Sequence, residues 1–298
     1  MDEGRWRDPE WLRQAHAWIA ARVERTGEIE QQHVRPWATV MRVPTSGGDV
    51  WFKANDAALR HEVAVVERIS ARRPDVVPPL IGADAELGWM LMTDAGETLR
   101  SVSAREGSLG RWLDVLPRYA SVQLELAGEV DALLAAGVPD MRLGTLPAAY
   151  AKVLDEVGAE QRFRDAVPVV EALCDRLSAY GIPELLQHDD LHDGQVFVKD
   201  GRHLVLDWGD ACISHPFFSL AVTVQGGLAW GLDDVEDSVD TAPFLAAYLE
   251  PFGSPADLLP AAEIAMRLGW VCRAINGRLP GDDASTLTRL RMFLDGHP

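Results

Sequence analysis

Apolar residues first recur at helical spacing. Leu12, Ala15, Ile19 and Val23 share one side, with Trp11 and Trp18 beside them, and predict a helix across 8–26. The pattern then changes. Val34, Val40, Met41, Val43, Val50, Trp51 and Phe52 are separated by turn signals, above all Pro44-Thr45-Ser46-Gly47-Gly48. Two or three antiparallel strands fit, the last running from Asp49 to Ala54. Leu59, Val63, Val66 and Ile69 restore a helical stripe over 56–72, with Asp56 as its cap. Two short strands follow at 80–84 and 88–93.

After Asp94-Ala95-Gly96 the period is mostly helical, with predicted segments at 97–104, 110–136, 146–157, 162–179, 216–230, 241–251, 258–276 and 283–294. A β-like island interrupts them at 184–207. The fold class is therefore α+β. A small strand-rich part, residues 1–94, is expected to join a larger helical part, residues 95–298, through a short linker near 93–97. At about 150 residues per domain, 298 residues also suggest two.

Composition narrows the classes. The chain is 47% hydrophobic and 25% charged, as globular proteins are. Its net charge of −18 is uneven: residues 1–100 carry 16 acidic and 13 basic groups, residues 101–298 carry 30 and 15. So acidic a surface repels phosphate backbones and argues against nucleic-acid binding. It suits a cationic small molecule, unless the charge serves solubility alone. Cys174, Cys212 and Cys272 form no disulfide framework or zinc pattern, and the N-terminus has no apolar signal segment; a cytoplasmic location is expected. Ala211–Leu232 lacks Asp, Glu, Lys and Arg but holds His215, Pro216 and three glycines, without basic anchors at its ends. It reads as a buried core helix rather than a membrane span.

The chemistry concentrates in the island. His188-Asp189-Asp190-Leu191-His192-Asp193-Gly194-Gln195 is followed by Leu206-Asp207-Trp208-Gly209. Protein kinases carry H-x-D-L-x-x-x-N and then D-F-G, with the first aspartate as base and the asparagine and second aspartate on magnesium. Here Gln195 stands for the asparagine and Trp208 for the phenylalanine. A loop followed by a hairpin would gather Asp190 as base with Gln195 and Asp207 as oxygen ligands of Mg2+. Lysine is rare, at Lys53, Lys152 and Lys199. Lys53 sits in the apolar strand Val50–Ala54, and Glu62, on the inward stripe of the next helix, is preferred to Glu67 as its partner. In isolation Lys53 would read as an edge-strand solubilising charge. No glycine-rich phosphate loop occurs, so the turn Val34–Thr39 would have to cradle phosphates, with Arg35 or Thr39 assisting.

The chain thus resembles the aminoglycoside phosphotransferase/choline kinase-like family, whose catalytic segment reads H-G-D-[hydrophobic]-H-x-x-N and then a hydrophobic pair, D and an aromatic residue. The resemblance runs from about residue 30 to about 275 and is most specific over 187–211. It implies a bilobal protein-kinase-like fold and ATP- and Mg2+-dependent phosphorylation of a hydroxyl on a small molecule. The candidate acceptors are aminoglycosides, amino sugars, sugars and amino alcohols. It assigns Asp190 as base, Gln195 and Asp207 to the metal, Lys53 and Glu62 to the ATP phosphates, and Met92-Thr93-Asp94 to the adenine side. Asp189, Asp193, Asp210 and, in an acidic run at 233–240, Asp234 are candidate substrate contacts.

Two positions depart from the family pattern. Gln195 is one methylene longer than asparagine, and Ser219 stands where the family's P-x-x-D-L-A stretch has a carboxylate to anchor the catalytic loop. They keep open a nucleotide-binding pseudokinase or scaffold. A metal-dependent hydrolase using His188 and His192 on zinc is a further alternative.

Overall fold

The structure is a computed structural model that describes residues 3–278 and 281–296. In chain order the elements are α1 (Pro9–Ala20), β1 (Glu30–Arg35), β2 (Ala38–Thr45), β3 (Gly48–Asn55), α2 (His61–Arg72), β4 (Leu80–Asp84), β5 (Trp89–Thr93) and β6 (Glu97–Thr98). There follow α3 (Leu99–Glu106), α4 (Trp112–Glu125), α5 (Val130–Ala135), α6 (Leu146–Glu156), α7 (Gln161–Arg164), α8 (Val167–Ser178) and β7 (Leu185–Gln187). The last are β8 (Val196–Lys199), β9 (Arg202–Val205), β10 (Cys212–Ser214), α9 (Ala242–Leu249), α10 (Pro255–Asn276) and α11 (Asp283–Asp295). Packing divides the chain into two units, one formed by residues up to 97 together with 197–209, the other by 98–196 and 210 onward.

The first unit is built on an antiparallel sheet of order β1-β2-β3-β5-β4. Side-chain alternation along β3 decides its two faces. Val50, Phe52 and Ala54 are buried with Met41, Val43 and Leu91 against Trp6 and with Ala15 and Ile19 of α1. Each large side chain in such a core contributes about 1.5–3 kcal/mol. Trp51 and Lys53 point to the other face. Asp56 caps a single 3-10 turn, Ala57–Leu59, and α2 begins after it. The expected helix over 56–72 is therefore two pieces. The hairpin of β8 and β9 is fixed to this unit where Val205 N–H donates to the Val76 carbonyl at 2.7 Å.

The second unit is helical around the short antiparallel pair β7 and β10, in which Gln187 faces Cys212 and Leu186 faces Ile213. The stretch expected as one helix over 110–136 breaks at a 3-10 turn, Ala127–Glu129, between α4 and α5. Segment 162–179 likewise splits into α7 and α8. The largest correction falls on 216–230. Instead of a core helix this uncharged stretch runs through a 3-10 turn at Pro216–Phe218, a π turn at Ala221–Gln225 and another 3-10 turn at Leu228–Trp230. Its side chains compete for backbone groups. Thr223 Oγ1 lies 3.0 Å from the Ser219 carbonyl and 2.7 Å from the Leu191 carbonyl, and so reaches the His188–Gln195 motif. Against this segment lies α10, at Gly269: a Cβ there would meet the Phe218 carbonyl oxygen at 2.6 Å. Among the described residues no helix is long and apolar enough to cross a membrane.

Candidate active site

In the first unit, register on the sheet and the first turns of α2 bring three candidates together. Lys53 pairs with Val40 and Met90 across the sheet, so β3 is interior and the edge-strand reading of its charge does not hold. Its Nζ lies 2.8 Å from each Glu62 carboxylate oxygen and 2.6 Å from Asp207 Oδ1. Asn55 Nδ2, two residues further along the same face, donates to Glu62 Oε2 at 2.8 Å. Glu62 is 1% exposed. Burial raises its pKa, against the attraction of Lys53. Burial works the other way on Lys53, and there the Asp207 and Glu62 carboxylates prevail, holding the ammonium charged well above neutral pH. The Asp207 side chain is 51% exposed, and its backbone takes the left-handed region at φ +62°. Non-glycine residues held there concentrate at functional sites.

The remaining first-unit candidates lie on the sheet or just beyond its last strand. Met92 is buried in β5. Asp94 accepts three hydrogen bonds: Trp51 Nε1 donates at 3.0 Å, Gly96 N–H at 3.1 Å and Lys199 Nζ at 3.0 Å. These bonds overcome partial burial and lower its pKa. Thr39 is fully buried, with Gln31 donating to its hydroxyl at 2.8 Å and the His33 carbonyl accepting from it at 2.8 Å. It belongs to the sheet. Arg35 is exposed at the end of β1 and bonds the Val34 carbonyl at 3.3 Å.

In the second unit a cation that the sequence reading missed organises the carboxylates. Arg273, on α10, is 7% exposed. Its Nη2 lies 2.9 Å from Asp190 Oδ1, and its Nη1 lies 2.8 Å from Asp210 Oδ2 and 3.7 Å from Asp189 Oδ2. Asn276, three residues along and hence on the same helix face, donates to Asp189 Oδ2 at 2.9 Å and to the Asp210 carbonyl at 2.6 Å. Asp189 stands at the glycine of the H-G-D pattern, and its φ of +63° is the conformation glycine adopts freely. Burial raises its pKa to about 6, against the opposing pull of Arg273 and Asn276. Burial also disfavours the Arg273 charge, and the three carboxylates around it prevail. The one signal in sequence was a lone arginine in the apolar run Trp270-Val271-Cys272-Arg273-Ala274-Ile275.

Asp193 is held apart from this cluster. Arg100 Nε donates to its Oδ1 at 2.9 Å, and bonds from His192 and Arg100 outweigh burial to lower its pKa. Gln195 begins the approach to β8, its N–H donating to the His192 carbonyl at 2.9 Å. Asp234 lies in an exposed turn with φ +55°, and no hydrogen bond or ion pair joins it to the Arg273 cluster.

The zinc alternative finds little support. His188 Nδ1 accepts from Asp190 N–H at 3.3 Å and His192 Nδ1 from Gly194 N–H at 3.0 Å, which spends these nitrogens on loop geometry. Among the described residues the grouped ligand atoms are those of Asp189, Cys212 and Cys272, and Gln187 Nε2 already donates toward all three.

A family model described as the phosphotransferase enzyme family matches residues 35–264. The chain belongs to that family. No curated protein matches the sequence of this phosphotransferase. Solved structures similar to it include a choline/ethanolamine kinase family protein from Mesorhizobium loti, 18% identical, with TM-score 0.64 over 95% of this chain and 94% of that one. The choline kinase of Streptococcus pneumoniae is 13% identical, with TM-score 0.62 over 96% and 98% of the two chains. A macrolide 2'-phosphotransferase from Brachybacterium faecium is 18% identical, with TM-score 0.55 over 93% and 97%. At these identities the likeness establishes the fold, which is protein-kinase-like. The family match makes the protein a phosphotransferase enzyme.

Proposed function

We propose that this phosphotransferase moves the γ-phosphoryl group of ATP to a hydroxyl of a small cationic molecule, with Mg2+ as cofactor. The observation that carries the reading is the Lys53 ammonium held between buried Glu62 and half-exposed Asp207. A structural lysine needs one carboxylate partner. Two, one of them open to solvent, suit a cation that must be oriented toward the oxygens of a phosphate.

Residues up to 94, joined by Asp207 and Gln195, serve the nucleotide, and the rest of residues 95–298 serves the acceptor. Lys53 neutralises charge developing on the transferred phosphoryl oxygens, and Glu62 aims it. Asp207 and Gln195 offer a carboxylate and a carboxamide oxygen, the hard donors that magnesium prefers. When bound, the ion supplies charge neutralisation on the phosphates. Asp190 accepts the proton of the acceptor hydroxyl as the new oxygen–phosphorus bond forms and the bond from the γ-phosphorus to the bridging oxygen breaks; ADP leaves. The excess of carboxylates after residue 100 favours an aminated acceptor. Choline and ethanolamine, the substrates named for structural neighbours, are first choices.

The test is ADP release with Mg2+ and ATP across choline, ethanolamine, aminoglycosides, macrolides, amino sugars and neutral sugars, with Asp190→Asn beside the native protein. Release that follows one acceptor class and drops by orders of magnitude in the variant supports the proposal. ATP binding without release from any acceptor turns the assignment toward a scaffold. Undiminished turnover in Asp190→Asn removes Asp190 from the mechanism.

A further inference from the structure

Asp190 does not hold its own position. Its backbone N–H is tied to His188 Nδ1, but its carboxylate projects from the loop with 24% of the side chain exposed. One oxygen, Oδ1, is taken by Arg273 Nη2 at 2.9 Å. The other, Oδ2, lies 3.9 Å from His192 Nε2. A carboxylate that is to receive a proton from an acceptor must present one oxygen in a fixed direction, and free rotation of its terminal torsion would spoil this.

Arg273 is fitted to prevent that rotation. Its guanidinium is planar, and its second arm is fastened to Asp210 at 2.8 Å. The end of α10 is itself secured: Arg289 Nη1 donates to the Gly277 carbonyl at 2.8 Å and to the Arg273 carbonyl at 3.3 Å. Asn276 ties both the residue before Asp190 and the backbone of Asp210 to the same helix face. Burial works against the Arg273 charge, and Asp189, Asp190 and Asp210 together offset it, so the guanidinium is fixed in place by the same carboxylates that it orients.

We propose that Arg273 is the positioning residue for Asp190: its guanidinium, anchored on Asp210, locks one oxygen of the Asp190 carboxylate and turns the other toward the acceptor hydroxyl. The proposal rests on the phosphotransferase reading above. A lysine keeps the charge but loses the planar fork. Arg273→Lys therefore lowers kcat roughly tenfold to a hundredfold, the scale of a small misplacement at a reacting group. KM for ATP stays within about twofold, because Lys53 and Asp207 are untouched.

The experiment measures ADP release from Mg-ATP with choline, ethanolamine or an aminoglycoside, whichever the panel favours, or with water if none does. It compares the native protein, Arg273→Lys, Asp190→Asn and the double variant, with circular dichroism melts of each. The expected result is a fall in kcat in Arg273→Lys that vanishes in the Asp190→Asn background, since a group that acts through Asp190 has nothing left to position. An equal fall in both backgrounds, or a kcat unchanged once the folded fraction is taken into account, overturns the proposal. If Arg273→Lys does not fold, Asp210→Asn removes the anchor without touching Asp190. It is expected to lower kcat severalfold and again to lose its effect beside Asp190→Asn; an unchanged kcat overturns the proposal. Native protein that releases no ADP with any acceptor or with water overturns the phosphotransferase reading itself, and this proposal with it.

Discussion

The hydroxyls of Tyr119 and Ser219 lie 2.7 Å apart in the core of the helical unit. Ser219 has one hydroxyl proton and gives it to Gln187 Oε1 at 2.9 Å, so Tyr119 is the donor to Ser219. Tyr119 in turn accepts from His188 N–H at 2.8 Å. Gln187 closes the circuit by accepting from Asp189 N–H at 3.1 Å and donating to Asp189 Oδ1 at 2.9 Å. A relay of uncharged side chains thus anchors the His188–Asp189 segment where the family pattern has an aspartate.

This relay predicts an order of costs. Tyr119→Phe leaves the buried His188 N–H without this acceptor and lowers unfolding free energy by about 1–3 kcal/mol. Ser219→Ala removes one acceptor and costs about 1 kcal/mol. Ser219→Asp, which writes the family residue back in, faces Gln187 Oε1 with acceptor oxygens and destabilises more than Ser219→Ala. Urea unfolding of the three variants ranks them, and a more stable Ser219→Asp refutes the relay.

Lys53→Met is expected to lower ADP release about a hundredfold or more, as loss of a group stabilising transition-state charge does. The loss of stability at pH 7 is about 1–3 kcal/mol, because Asn55 still bonds Glu62 and the buried carboxyl can take up a proton. Parallel melts and turnover assays separate the two effects. Turnover within twofold of native denies Lys53 its role.

Asp189 sets a pH dependence. Its folded-state pKa of about 6 exceeds that of an ordinary carboxylate, so the stability it contributes below pH 4 is lost as pH rises through 6. Asp189→Asn tolerates the left-handed backbone and does not titrate. Between pH 4.5 and 7.5 the variant should gain on the native protein by about 2 kcal/mol in urea unfolding. A constant difference across that range shows that Asp189 does not titrate there.

Gln195→Ala should raise the Mg2+ concentration for half-maximal ADP release roughly tenfold, the scale on which loss of a metal-site residue acts. KM for the acceptor should change little. A Mg2+ titration with no shift takes Gln195 out of the metal site.

Gly96 and Gly107 both have positive φ, at +86° and +61°. A Cβ on Gly96 would run into the Val198 carbonyl oxygen, whereas on Gly107 nothing lies within 4 Å. Gly107→Ala should cost about 1 kcal/mol from backbone conformation, and Gly96→Ala about 2–4 kcal/mol because backbone must move as well. Thermal melts that fail to separate the two variants contradict this packing.

Much of the molecule was legible in the order of its residues. Period-two and period-3.6 patterns located the sheet, α1 as far as Ala20 though not to the expected end at 26, and the helix over 56–72 apart from its first turn, because one face of each is buried against a single layer. The island at 184–207 declared its chemistry through short-range spacing. Segment 216–230 misled because its composition is that of a core helix, while Thr223 and Ser219 spend their hydroxyls on carbonyls of other segments and on Gln187.

The sequence by itself determined the pieces whose causes are local: the strand that carries Lys53, the inward stripe that carries Glu62, and the order of aspartates from Asp189 to Asp210. Tertiary structure alone decided what those carboxylates meet. Arg273 is 83 residues from Asp190 in the chain and Tyr119 is 69 from His188. Partners so distant are chosen by how helices pack, and their pairing is enforced by the cost of leaving a buried charge or N–H unmatched, which no local pattern records.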